Sequence, residues 1–92
     1  MIVRILGEGQ YDVPDSEVDA LNTLDDAVEK AVALADEATF RNALAGLLAH
    51  VRSHGTQLPD SELVPSEAVL PAEDASVEEV RGLLTDEGMI PG

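Results

Sequence analysis

The chain has 92 residues, enough for one small domain with a modest core but too few to favour a deep enclosed pocket. Its 19 acidic and five basic residues give a net charge of -14, which opposes direct binding to nucleic acid or anionic lipid. There is no cysteine, which excludes disulfides and thiolate chemistry. Because no apolar run approaches a membrane span and the opening residues do not follow a signal-peptide pattern, we expect a cytoplasmic protein.

The first predicted unit is a β-hairpin over residues 1–14. An alternating apolar run precedes the turn, and residues 10–13 include an aromatic and a β-branched side chain, as strands do. Between them stands Gly7-Glu8-Gly9, a spacing that also occurs in nucleotide-binding loops. Such a loop needs a third glycine and a helix directly afterwards, and the carboxylate of Glu8 would repel phosphate. We therefore predict a hairpin turn whose glycines supply positive φ angles.

The second predicted unit is a helical hairpin over residues 15–55. The first helix should run to about Ala35, with Asp15 or Ser16 as its N-cap and Asp19 completing a capping box. Apolar residues recur at steps of three and four, as on the buried face of a helix. These residues are Val18, Leu21, Leu24, Val28 and Val32.

The second helix of this hairpin is predicted from the N-cap Asp36 to Gly55, with the glycine in the left-handed position that often ends a helix. The connection between the helices is short, so they should pack antiparallel. The apolar face of the second helix carries Phe40, Leu44, Leu47, Leu48 and Val51.

The third predicted unit is a proline-spaced connection over residues 56–75. An apolar residue followed by proline recurs every six residues, which favours extended backbone lying on the surface. Within it, residues 67–70 could add a short third strand beside the hairpin, because two strands alone are marginally stable.

The last predicted unit, residues 76–92, is a short helix and a tail. The helix begins with a capping box from Ser76 to Glu79 and should end at Gly88. Its inward-facing residues would be Val77, Val80, Leu83 and Leu84. The whole chain is thus predicted as a single α+β domain, in which a small antiparallel sheet packs against the helical hairpin and the C-terminal helix.

Two histidines are the most specific chemical signal in the chain. His50 and His54 are four residues apart on the second helix, a spacing that puts both imidazoles on one face and could bind zinc. A metalloprotease signature would need glutamate where Val51 stands, and any further ligand must be a carboxylate from elsewhere in the chain. We expect instead two exposed histidines that interact favourably with the helix C-terminus and hold no metal.

Other polar groups give weaker signals. Adjacent carboxylates can perform acid and base chemistry when burial separates their pKa values, but in so acidic a chain we expect them to be solvated. The pairs are Asp25-Asp26, Glu73-Asp74, Glu78-Glu79 and Asp86-Glu87. The basic residues are scattered, and each is expected to pair with a nearby acid. They are Arg4, Lys30, Arg41, Arg52 and Arg81. We therefore predict no catalytic residue and no cofactor.

Two features favour association with another chain. A small sheet with an open edge can accept a strand from a partner, and Met89-Ile90 is apolar in a charged setting. The alternative for this tail, which we favour, is that it folds back over the domain's own core.

The residues quoted next resemble the PspAA family, whose members are small PspA-associated proteins that accompany phage shock protein A in membrane-stress systems. The strongest similarity is in residues 1–15, MIVRILGEGQYDVPD, and it extends to residues 21–25, LNTLD. The proline-spaced segment 58–71 and the ending 83–92, LLTDEGMIPG, are also similar to the family. The resemblance thus covers essentially the whole chain.

This resemblance implies a non-enzymatic accessory protein that binds a PspA-like coiled-coil, membrane-remodelling partner and modulates the envelope-stress response. It implies no catalytic residue and no ligand. We expect basic residues of the partner to meet the acidic surface, so that association weakens as salt rises. Because there is no basic amphipathic helix, membrane contact should be indirect, through the partner. The alternatives are a self-associating structural module and a small metal-binding sensor that uses His50 and His54.

Overall fold

The computed structural model describes residues 1–59, 61 and 64–83. Its fold is α+β, as predicted. In chain order the elements are β1 (Ile2–Ile5), β2 (Gly9–Asp12), a 3-10 turn (Asp15–Glu17), α1 (Val18–Leu34), α2 (Glu37–His54), β3 (Thr56–Gln57), β4 (Ala68–Leu70) and α3 (Val77–Leu83). The predictions for Leu84, Gly88 and the tail Met89-Ile90, and for the Leu83 side chain, lie outside what is described.

The four strands form one mixed sheet in the order β3-β2-β1-β4. The hairpin β1–β2 and the pair β2–β3 are antiparallel, whereas β4 runs parallel to β1. The third strand predicted within residues 67–70 is therefore confirmed, but the expectation of an antiparallel sheet is wrong. After β3 the chain passes from one edge of the sheet to the other and enters β4 in the direction of β1, which is the crossover that parallel strands require.

The Gly-x-Gly segment forms the hairpin turn, as predicted. Gly7 and Gly9 have φ angles of 81° and 133°, and the Glu8 amide donates to the Ile5 carbonyl at 3.0 Å. These backbone angles are costly for side chains with a Cβ atom, which explains the two glycines. The segment leads into β2 and not into a helix, so the arrangement of a dinucleotide-binding loop does not form.

One hydrophobic core lies between the sheet and the helices. β1 contributes Val3 and Ile5, whose side chains point to the same face because strand side chains alternate. Most predicted helix positions are buried, but Val18 and Leu24 are only partly buried, and Asp25 occupies a buried position in α1. The buried helix residues that pack in this core are Leu21, Val28, Ala31, Val32, Phe40, Leu44, Leu47, Leu48, Val51, Val77 and Val80.

The opposite face of the sheet carries part of the crossing connection. Gln10 points to this face, and its side-chain Nε2 donates to the Val64 carbonyl and to the Ser66 hydroxyl, both at 2.8 Å. Gln10 is only 7% exposed, so both hydrogen bonds are largely shielded from water. One buried amide thus holds the proline-spaced segment against the sheet.

Two helix starts follow the predicted capping pattern and one does not. Asp36 caps α2 by accepting the Thr39 amide at 3.2 Å, and Ser76 accepts the Glu79 amide at 3.2 Å. The predicted cap of α1 by Asp15 or Ser16 is wrong, because α1 begins at Val18 without a side-chain cap. The chain first makes the 3-10 turn, and the Asp15 carboxylate lies 3.4 Å from the Met1 ammonium.

The two long helices end differently from the prediction. Ala35 takes the left-handed conformation after α1, with φ 53°, whereas Gly55 after α2 is extended, with φ -93°. The left-handed assignment of Gly55 is therefore wrong. A Cβ atom at Gly55 would lie 2.7 Å from the Val51 carbonyl oxygen and 3.1 Å from Cγ2 of Val13. Glycine is thus required here by close packing and not by a positive φ.

Candidate functional site

Three side chains meet at the C-terminal end of α2, and we call Glu17, His50 and His54 the histidine cluster. Nε2 of His50 lies 2.8 Å from Oε1 of Glu17, and Nε2 of His54 lies 3.6 Å from the same oxygen. The two imidazole rings are stacked, with centroids 4.0 Å apart. His50 and Glu17 are partly buried, while the His54 side chain is 47% exposed.

The helical hairpin explains why these residues are close in space. Glu17 ends the 3-10 turn immediately before α1, and the histidines occupy the last two turns of α2. Because the helices are antiparallel neighbours, the start of α1 lies beside the end of α2. Glu17 thereby reaches His50, 33 positions away in sequence. It is the carboxylate from elsewhere in the chain that a metal site would need.

The histidine cluster is the one group of three or more potential ligands close enough for a single metal ion in the part of the chain that is described. The ligand atoms of its members all lie within 4.8 Å of one another. Sequence reasoning found His50 and His54 but not Glu17. The usable signal was the predicted antiparallel packing, which brings the first turn of one helix to the last turn of the other.

A second polar network joins the hairpin turn to α2. Arg52 makes a bidentate pair with Glu8, with its Nε 2.9 Å from Oε1 and an outer nitrogen 2.8 Å from Oε2. Arg52 also donates to Glu73 at 3.2 Å, and the Tyr11 hydroxyl donates to Glu8 at 2.7 Å. Hydrogen bonds from Arg52 and Tyr11 lower the pKa of Glu8, and the bond to Glu8 raises the pKa of Tyr11. This network links α2 to the hairpin turn and to the segment before α3.

The acidic pairs differ in burial. Asp26 is exposed as expected, but Asp25 is 2% exposed, so the expectation of solvated carboxylates is wrong there. Burial raises the pKa of Glu29 on the same helix, with smaller contributions from the charges of Asp25 and Asp26. Glu73-Asp74 and Glu78-Glu79 are exposed, and Asp86-Glu87 lies outside the described residues.

The surface keeps most of its negative charge uncompensated. Within residues 1–59, 61 and 64–83, Arg52 is the one lysine or arginine side chain with a carboxylate partner within 4.0 Å. Arg81 donates instead to the Val32 carbonyl at 3.1 Å. Within the described residues, the expectation that each basic residue pairs with an acid is confirmed for Arg52. Asp19 and Asp26, two turns apart on the exposed face of α1, lie on this acidic surface.

No helix within the described parts of the chain combines the length and apolar character needed to cross a bilayer.

The comparisons with known proteins identify the family. A family model described as PspA-Associated protein matches residues 1–92, the whole chain. The chain belongs to this family of PspA-associated proteins. No curated protein and no solved structure gives a significant match. The resemblance that the sequence suggested is thus confirmed, and this membership associates the chain with PspA.

Proposed function

We propose that the chain is a non-enzymatic adaptor that binds a PspA-like coiled-coil protein and modulates the envelope-stress response. The observation that carries the proposal is the family match over residues 1–92, because the family is described by its association with PspA. In this proposal the protein acts in the cytoplasm and contacts the membrane through its partner.

The charge distribution supports an electrostatic mode of binding. The net charge is -14, and most exposed acids of the described residues have no lysine or arginine partner. An acidic surface of this kind attracts a partner that presents lysine and arginine, and the attraction weakens as salt screens it. Asp19 and Asp26 supply a site at which this mode can be tested, because both are exposed and neither contributes to the core.

The test is co-elution with the PspA homologue of the same organism on a sizing column at low and at high salt. We expect a complex at low salt that dissociates at high salt. The double variant Asp19→Lys/Asp26→Lys should lose the complex at low salt. As a control with one charge reversal elsewhere, Glu67→Lys changes an exposed acid beside β4 and should keep the complex. It is compared with the single variant Asp26→Lys, which carries the same charge change on α1 and should weaken the complex.

Two results would count against the proposal. Absence of a complex at both salt concentrations would reject the adaptor function for this partner. A complex that resists high salt and survives the double substitution in α1 would reject the electrostatic mode while leaving the partner in place. Circular dichroism of each variant establishes that a lost complex does not reflect unfolding.

A further inference from the structure

The histidine cluster has the spacing of a zinc site. In a tetrahedral zinc centre with bonds of about 2.0–2.1 Å, neighbouring ligand atoms lie roughly 3.3 Å apart. The distances from Oε1 of Glu17 to the Nε2 atoms of His50 and His54 are 2.8 Å and 3.6 Å, on either side of that value. All three ligand atoms lie within 4.8 Å of one another, so rotation of the side chains can bring them around one ion.

The hydrogen bonds around His54 orient it as a ligand. Its Nδ1 atom lies 3.2 Å from the His50 carbonyl oxygen and 3.1 Å from the Ser53 hydroxyl. Because a carbonyl oxygen only accepts, the contact with it places the proton on Nδ1 and leaves the lone pair on Nε2, the atom that lies 3.6 Å from Oε1 of Glu17. Metal-binding histidines are commonly held by such a bond from the other ring nitrogen to a backbone carbonyl.

The position at the end of α2 also favours a cation. The last carbonyl groups of a helix carry partial negative charge, and the histidines lie in its last two turns. The carboxylate of Glu17 adds a full negative charge, and the net charge of -14 raises the local concentration of cations. The rings of His50 and His54 are stacked, with 21° between their planes, and they must turn about their side-chain bonds until both planes pass through a shared ion.

We propose that Glu17, His50 and His54 bind one zinc-type divalent ion. Two imidazoles and a carboxylate are ligands that suit Zn²⁺, and three protein ligands leave a fourth position for water or another group. The ion would replace the proton that lies between His50 and Glu17. Bound there, it would link the turn before α1 to the end of α2.

The test is calorimetric titration of the full chain with zinc chloride after treatment with a chelator and desalting. Excess magnesium is present, because it occupies scattered carboxylates without favouring imidazole ligands. We expect one zinc ion per chain. His54→Ala and Glu17→Gln should each weaken binding by at least about tenfold. Glu37→Gln removes an exposed acid at the opposite end of α2 and should leave the affinity unchanged.

Thermal unfolding provides a second readout. Zinc should raise the unfolding temperature of the wild-type chain and of Glu37→Gln, but not that of His54→Ala, because only a native-state site stabilises the fold. His54 is half-exposed, so its replacement leaves the core intact. The proposal is overturned if zinc does not bind at one ion per chain in excess magnesium. It is equally overturned if the two cluster variants bind zinc as tightly as the wild type. Neither result bears on the partner, whose complex is tested without zinc.

Discussion

Replacing Gly55 with alanine tests the junction at which α2 meets the sheet. Gly55 follows α2 directly, and its amide donates to the Val51 carbonyl at 2.8 Å. The new Cβ atom would lie 2.7 Å from that carbonyl oxygen, 3.1 Å from Cγ2 of Val13 and 3.2 Å from Cβ of Tyr11. All three atoms belong to the core or to the backbone of α2, so the contact cannot be relieved by turning an exposed side chain.

The expected loss follows from these contacts. Forcing an extra methyl group into a packed site costs about 1–3 kcal/mol, and weakening the last hydrogen bond of α2 adds about 1 kcal/mol. Alanine restricts the unfolded chain more than glycine does, which offsets about 0.5–1 kcal/mol. The net destabilisation is therefore about 2 kcal/mol. For a domain of this size, that lowers the unfolding temperature by roughly 8–16 °C.

The assay is thermal and urea unfolding followed by helical circular dichroism, with Gly46→Ala as the matched control. Gly46 lies in the middle of α2 and is exposed to solvent, and a Cβ atom there meets nothing within 4 Å. Alanine at this position should stabilise the protein by about 1 kcal/mol, because glycine is the poorer helix former. The reasoning is refuted if Gly55→Ala unfolds at the wild-type midpoint, or if both substitutions shift stability in the same direction.

The remaining predictions concern one ion pair and one strained residue. Glu8→Gln removes the charge of the bidentate pair with Arg52 and should lower the free energy of unfolding by about 1 kcal/mol at neutral pH. The loss is modest because about one-third of each side chain is exposed to water. Since the pKa of Glu8 is lowered from 4.5 in the fold, its contribution is complete above that value and disappears as the pH falls through the lowered pKa. Urea unfolding across this pH range should therefore show the two proteins converging in acid, and a constant difference would contradict the assignment. Ala35→Gly should stabilise by about 0.5–1 kcal/mol by relieving the left-handed backbone, whereas Ala33→Gly in the body of α1 should cost about 1 kcal/mol; equal losses in thermal melts would show that Ala35 is not strained.

Sequence patterns predicted the elements whose signals are local. Three such signals appear in the structure: the helical periodicity of α1 and α2, the Asp36 cap, and the cap that the Ser76 hydroxyl provides to the Glu79 amide. β3 was missed because Thr56 and Gln57 are two polar, exposed residues that acquire strand geometry by pairing with β2. The parallel pairing of β4 with β1 was also missed. The alternation of buried and exposed residues along a strand is the same for either direction, so the direction of β4 depends on where the chain crosses the sheet.

The histidine cluster likewise has one part with a local sequence signal and one part that depends on packing between helices. The spacing of His50 and His54 is visible in the sequence, whereas Glu17 joins them through packing of α1 against α2. The 3-10 turn that holds Glu17 was itself mispredicted as a capped helix start. A local rule thus assigned Asp15 or Ser16 to capping, while in the folded chain Asp15 contacts the Met1 ammonium and Glu17 contacts His50.

The C-terminal turns of α2 connect three N-terminal segments, and this determines how the two proposals relate. Arg52 contacts the hairpin turn, His50 contacts the turn before α1, and Gly55 packs against Val13. An ion in the histidine cluster would strengthen this junction, whereas Asp26 lies on the exposed face of α1, away from it. If zinc alters affinity for the partner, the partner must alter zinc affinity by the same factor, because coupling between two binding sites is reciprocal. Equal zinc affinities of the free chain and the complex would therefore establish that the junction and the acidic surface act independently.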